Sequence, residues 1–155
     1  QCLRGKLRDH ATMKSTVCAC AALLALGVGP VLAGALEITA PWLNQPPPGR
    51  AGAALYMELR NAGEVPLAVL GARVAGADSA AIHGHSHDGG MMRMHAVPRL
   101  DLAPGASVQL QPGGYHLMVG GLHATLQPGD VLPFCLRLDD GAEQCAEALV
   151  RGLGD

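Results

Sequence analysis

The sequence predicts an all-β domain, an antiparallel sandwich or barrel, and three observations lead there. Glycine and proline together number 32 of 155 residues, which suits short strands joined by turns better than helices. Short apolar runs alternate with turn signals from Leu36 onward, and Pro104-Gly105, Pro112-Gly113 and Pro128-Gly129 punctuate the second half. No stretch of that region carries a capped apolar pattern with a 3.6-residue period. Only four residues are Phe, Trp or Tyr, so the core falls to Leu, Val, Ile and Ala.

Before that domain the chain reads differently. Residues 1–12 (Gln1 to Thr12) look like upstream sequence. Met13-Lys14 opens a short positive region, an apolar run extends from Val17 to Val28, and Val31-Leu32-Ala33 precedes Gly34. That is the anatomy of a secretory signal over 13–33 with cleavage before Gly34. The run is too short for a membrane span, and Gly27, Gly29 and Pro30 interrupt it. Cys18 and Cys20 precede the apolar core rather than follow it, which is not the arrangement of a lipid-modified cysteine. The expected exported chain is therefore one domain, 34–155, with no stable membrane insertion. The formal charge of -2 and the lack of a long basic run give nucleic acid no purchase.

Taken in order, Leu36–Ala40 is a strand ended by Pro41, and Asn44–Arg50, with three consecutive prolines, is an extended loop. Gly52–Asn61 and Pro66–Val74 are strands. Ala80–His85 and Met91–Val97 flank Asp88-Gly89-Gly90, a hairpin signature. Ser107–Leu110, Tyr115–Val119, Val131–Leu138 and Gln144–Val150 complete the set. Cys135 and Cys145 flank Asp139-Asp140-Gly141 and face each other across a terminal hairpin, so in an oxidising compartment they read as a disulfide. They do not form a CxxC motif, which argues against a thiol oxidoreductase.

The chemistry concentrates between Ile82 and Met118. Side chains alternate faces along a strand, so His116 and Met118 share one face while Tyr115, Leu117 and Val119 turn to the core. His83, His85 and His87 also share a face, as do Met92 and Met94. The hairpin lays the His83 strand beside the Met94 strand, and the His116 strand completes a cluster of two imidazoles and two thioethers. Thioether sulfur is a soft donor that selects Cu(I) over Zn(II), Mg(II) or Ca(II). His83, Met94, His116 and Met118 are thus the expected ligands. His85, His87 and Met92 are candidates for a weaker secondary site for Cu(II) or Zn(II), with solvated surface residues as the plainer reading. No His or Met follows Cys135, so a blue-copper thiolate site is not expected, and no Ser-His-Asp arrangement suggests an enzyme.

The spacing His83-x10-Met94-x21-His116-x-Met118 resembles that of the periplasmic copper chaperones called PCuAC. Ala53-Ala54-Leu55-Tyr56, Arg60-Asn61-Ala62-Gly63, Asp88 to Met94 and Gln111 to Met118 extend the likeness over the domain. The resemblance implies a cupredoxin-like β-sandwich that holds Cu(I) through those four side chains. It implies delivery toward the binuclear copper site of cytochrome c oxidase, with a Sco-type thiol protein as co-worker. Against the family pattern this chain is unusually rich in histidine, at His85, His87 and His95. The other class of reading is a copper or zinc sequestration protein with no dedicated acceptor.

Overall fold

The structure, a computed structural model, describes residues 35–88 and 91–152. The upstream stretch 1–12 and the expected leader 13–33 lie outside these residues. The described residues form ten strands and no helix: β1 (Leu36–Asn44), β2 (Gly52–Asn61), β3 (Leu67–Val74), β4 (Ser79–Asp88), β5 (Met91–Ala96), β6 (Leu100–Leu102), β7 (Ser107–Leu110), β8 (His116–Gly120), β9 (Val131–Leu138) and β10 (Glu143–Arg151). They hydrogen-bond in the order β5-β4-β8-β2-β1-β10-β9-β3-β6, with β7 also on β2. One apolar cluster draws on strands from both ends of this path, and β3 lies against β4 without pairing to it. The sheet therefore folds over on itself, with the core between its halves.

All pairings between the ten strands are antiparallel except β1 with β10, where Trp42, Leu43 and Asn44 run parallel to Leu149, Val150 and Arg151. The sheet is thus mixed rather than purely antiparallel. β1 reaches β10 by running on past Pro41. The sequence reading ends the first strand there, but β1 continues through an extra residue. Its register on β2 slips between Thr39 and Trp42, with Ala40 at φ 46°. A proline has no N–H to give a ladder, and a bulge is where a strand tolerates it. The bulge flips the alternation, sets Trp42 opposite Tyr56 with ring centroids 4.6 Å apart, and carries the strand on to β10.

One row across the sheet sets the two faces. Ile82, Leu117, Leu55, Leu43 and Val150 are cross-strand neighbours on β4, β8, β2, β1 and β10, and each is at most 2% exposed. Positions one step along these strands must point away from the core. Those positions include His83, His116, Met118 and Trp42, so the apolar row that builds the core also delivers the His and Met side chains to the opposite face.

Asn61 is the buried polar anchor of the other end. Its side chain donates to Val65 O at 2.8 Å and Leu102 O at 3.1 Å and accepts from Gly63 N at 2.9 Å. This explains the Asn-Ala-Gly stretch physically: one amide ties the end of β2 to the next turn and to β6. Asn61→Ala strands three backbone partners, and leaving buried polar groups unpaired costs about 1–3 kcal/mol each. We expect a loss of about 3 kcal/mol in unfolding free energy, read as a lower midpoint in urea; an unchanged midpoint contradicts the anchor role. On β9 and β10, inside the strand order, Cys135 and Cys145 are register partners joined by a disulfide, as expected from the hairpin. Closing so short a loop contributes about 2–3 kcal/mol.

Candidate metal centre

The centre is assembled on β5, β4 and β8. His83 stands directly opposite His116 on one side and Ala96 on the other. His85 stands opposite Met94, and Met118 lies between Ala81 and Ala54. Alanines at these neighbouring positions leave room above the sheet for rings and thioethers. The rings of His83 and His116 are 5.8 Å apart, edge to face, and those of His85 and His116 are 5.3 Å apart.

His116 is the pivot, only 5% exposed. Its Nδ1 lies 3.2 Å from the carbonyl oxygen of Gly114. A carbonyl only accepts, so in the neutral ring Nδ1 carries the proton and Nε2 presents a bare lone pair. That Nε2 sits 3.2 Å from Met94 Sδ. Two electron-pair donors facing each other at this distance repel unless a cation lies between them. A metal bound at about 2.0 Å to nitrogen and about 2.3 Å to sulfur spans such a gap. Burial holds the His116 pKa below the ordinary imidazole value; the His85 and His83 rings push the same way, and the Gly114 carbonyl opposes them. The ring is thus kept in the neutral form that a metal requires.

His83 supplies a second signal. Its Nδ1 is buried with no hydrogen-bond partner. An orphaned buried nitrogen is costly unless a ligand completes it. Together these two features fit a metal ion, and the donor set of imidazole and thioether suits a soft one.

Several expected site residues fall elsewhere or carry new meaning. His87 and Met92 are register partners one step outward on the hairpin, with Met92 well exposed; the His87 side chain lies outside the described residues. His95 is a register partner of Gly84, not of a site histidine, and its ring packs toward the Gly84 side of the strand together with Tyr115. It does not join the cluster. Tyr115 is 39% exposed, so it closes the edge of the core rather than filling it. The grouping of Cys135, Glu143 and Cys145 offers no thiolate, because both sulfurs are spent in the disulfide. The sequence reading gave His85 only a weaker secondary site, whereas its ring stands in the same cluster as His116. His85 Nδ1 also lies 3.1 Å from Gly114 O, so one carbonyl orients two imidazoles of the centre. The His83-Gly84-His85 spacing placed it on the right face; the shared carbonyl was not readable.

Fold and centre together define an all-β domain that presents soft donors on the outer face of its sheet. Residues 36–150 match the family model described as "Putative lipoprotein LpqE-like", and the chain belongs to that family, the PCuAC family. Among solved structures it resembles the copper(I) form of DR1885 from Deinococcus radiodurans, with 33% identity and a TM-score of 0.61 over 77% of this chain and 81% of that one. It also resembles the apo PCuAC domain of PmoF1, with 25% identity and a TM-score of 0.65 over 77% and 96%. The copper-bound PCuAC domain of PmoF2, at 24% identity and a TM-score of 0.64 over 77% and 95%, shares the fold. A curated relative from Leifsonia xyli subsp. xyli, "Putative lipoprotein Lxx21020", is 27% identical over 111 residues; the matched region is 71% of this chain and 66% of that protein.

Proposed function

We propose that this protein is an exported Cu(I) metallochaperone whose ion is held by His83, Met94, His116 and Met118. The observation that carries the reading is the His116 Nε2–Met94 Sδ pair, two donor atoms 3.2 Å apart, with the other ring nitrogen committed to Gly114. The copper(I) form of DR1885, 33% identical to this chain, supports it. The lipoprotein names of the family and of the Leifsonia relative support export, in keeping with the leader expected over 13–33, and we propose the periplasm as the place of work.

The mechanism is ligand exchange. Two neutral imidazoles and two thioethers add no charge of their own, so monovalent Cu(I) is favoured over Zn(II), which prefers thiolate, imidazole and carboxylate. Met94, 53% exposed, is the ligand an acceptor reaches first; displacing its weak sulfur by a thiolate opens the site while buried His116 holds the ion until last. That order suits delivery to a thiolate-bearing acceptor such as a Sco-type protein and, through it, the binuclear copper site of cytochrome c oxidase. The test mixes the Cu(I)-loaded protein with an apo Sco-type domain or a soluble oxidase copper domain, separates the two and measures copper in each. We expect most of the metal on the acceptor within minutes. Copper that stays behind with every thiolate acceptor makes the protein a sequestration device.

A further inference from the structure

We propose that His85 is a third imidazole of the same centre, one that takes the place of Met94 when the ion is Cu(II). The inference rests on the four-donor reading above and extends it to a second oxidation state.

The geometry begins with Gly84. It turns to the core side of β4, where a Cβ would stand only 3.0 Å from the Tyr115 ring. The absence of a side chain lets the strand lie close over Tyr115, with His83 and His85 projecting from the other face. His85 is the register partner of Met94, so the thioether and the imidazole are side-by-side alternatives on adjacent strands. Both stand next to His116: Met94 Sδ at 3.2 Å from its Nε2, and the His85 ring at 5.3 Å from its ring.

The second observation is the tautomer. His85 Nδ1 donates to Gly114 O at 3.1 Å, the same acceptor that receives Nδ1–H of His116 at 3.2 Å. A ligating histidine characteristically gives its other N–H to a carbonyl or carboxylate, which fixes the ring and raises the basicity of the ligating nitrogen. A single carbonyl does this for both rings, and each is left with Nε2 free. The nitrogens of His83, His85 and His116 do not converge within 4.8 Å in this structure. With the Met94 sulfur seated against His116, His85 stands back and requires only side-chain rotation to close.

Chemistry assigns the two arrangements. Cu(I) is content with thioether and imidazole, whereas Cu(II) favours nitrogen donors in tetragonal geometry and gains little from thioether. His83, His85 and His116 supply three such nitrogens from neighbouring positions on β4 and β8.

Copper alone is the probe. Chelator competition is run separately for Cu(I) under reductant and for Cu(II) in air, on the exported protein and on His85→Ala, His87→Ala and Met94→Leu, with electron paramagnetic resonance of each Cu(II) form. We expect His85→Ala to weaken Cu(II) about tenfold or more, a loss in the range seen when supporting residues of metal sites are removed. It should lower the nitrogen count in the spectrum by one and leave Cu(I) affinity within about threefold. Met94→Leu should do the reverse. Unchanged Cu(II) affinity and spectrum in His85→Ala overturn the proposal, as does a nitrogen lost in His87→Ala instead. Equal losses for both oxidation states in His85→Ala also overturn it, because His85 is then a permanent ligand. The four-donor reading fails separately, through a Met94→Leu protein that binds Cu(I) as the parent does.

Discussion

Met94→Leu and Met118→Leu should each weaken Cu(I) binding by about a hundredfold or more, while the protein folds as before. Removing an outer-shell support of a metal ligand already costs about 10–100-fold, and removing the donor itself costs at least as much. Leucine keeps bulk and apolarity, so the packing change is small. For Met94, half exposed at the sheet edge, the structural effect is smaller still. His83→Ala and His116→Ala should match the loss, but His116→Ala also removes a buried ring that fills space above β8, so its thermal midpoint should drop. Oxidation of the methionines to sulfoxides should release Cu(I) for the same reason as the leucine variants, because the soft donor is gone. A competition titration against a Cu(I) chelator reads all of these. If both leucine variants hold Cu(I) like the parent, sulfur is not a ligand and an all-imidazole site remains.

Most of the scaffold that carries these residues was legible because period-two alternation is a strong signal. The bounds of β2, β7 and β9 agree with the sequence reading, since each is an alternating run closed by turn residues. Three features were not legible. The three-residue β6, Leu100–Leu102, is too short to carry a period between Pro98 and Pro104. The continuation of β1 past Pro41 depends on a bulge, and a proline inside a run argues against a strand. The parallel β1–β10 pair joins residues more than a hundred positions apart, and nothing local encodes that partner. At the centre, the four-residue spacing and the face alternation brought out His83, Met94, His116 and Met118, and the structure sets all four on one face. His85 was readable only as a candidate for a secondary site. Its weight comes from Gly114, whose carbonyl is aimed by a turn at Gly113, φ 79°, and backbone direction is not written in residue identity.

Acid should empty the site, and with a slope that counts imidazoles. His116 has a folded pKa below its ordinary value, chiefly because it is buried. The folded state therefore binds fewer protons than the unfolded state between the folded pKa and about 6.5, the ordinary histidine value. The sign follows: this contribution to stability is complete above about pH 6.5 and is lost as pH falls through the folded value. The same preference for the neutral ring keeps Nε2 ready for copper to lower pH than a free imidazole allows. In acid, protons compete with the metal for each ligating nitrogen, so affinity falls by up to about tenfold per pH unit per imidazole. Thioethers do not titrate, and the two-histidine Cu(I) site should approach a hundredfold per unit. His83→Ala and His116→Ala should each halve the logarithmic slope, whereas Met94→Leu should lower affinity at every pH and leave the slope alone. Chelator competition between pH 7.5 and 4.5, on parent and variants, separates these behaviours. A Cu(I) affinity flat across that range means that no imidazole binds the ion, and a parent slope of only one proton leaves His83 or His116 out of the ligand set.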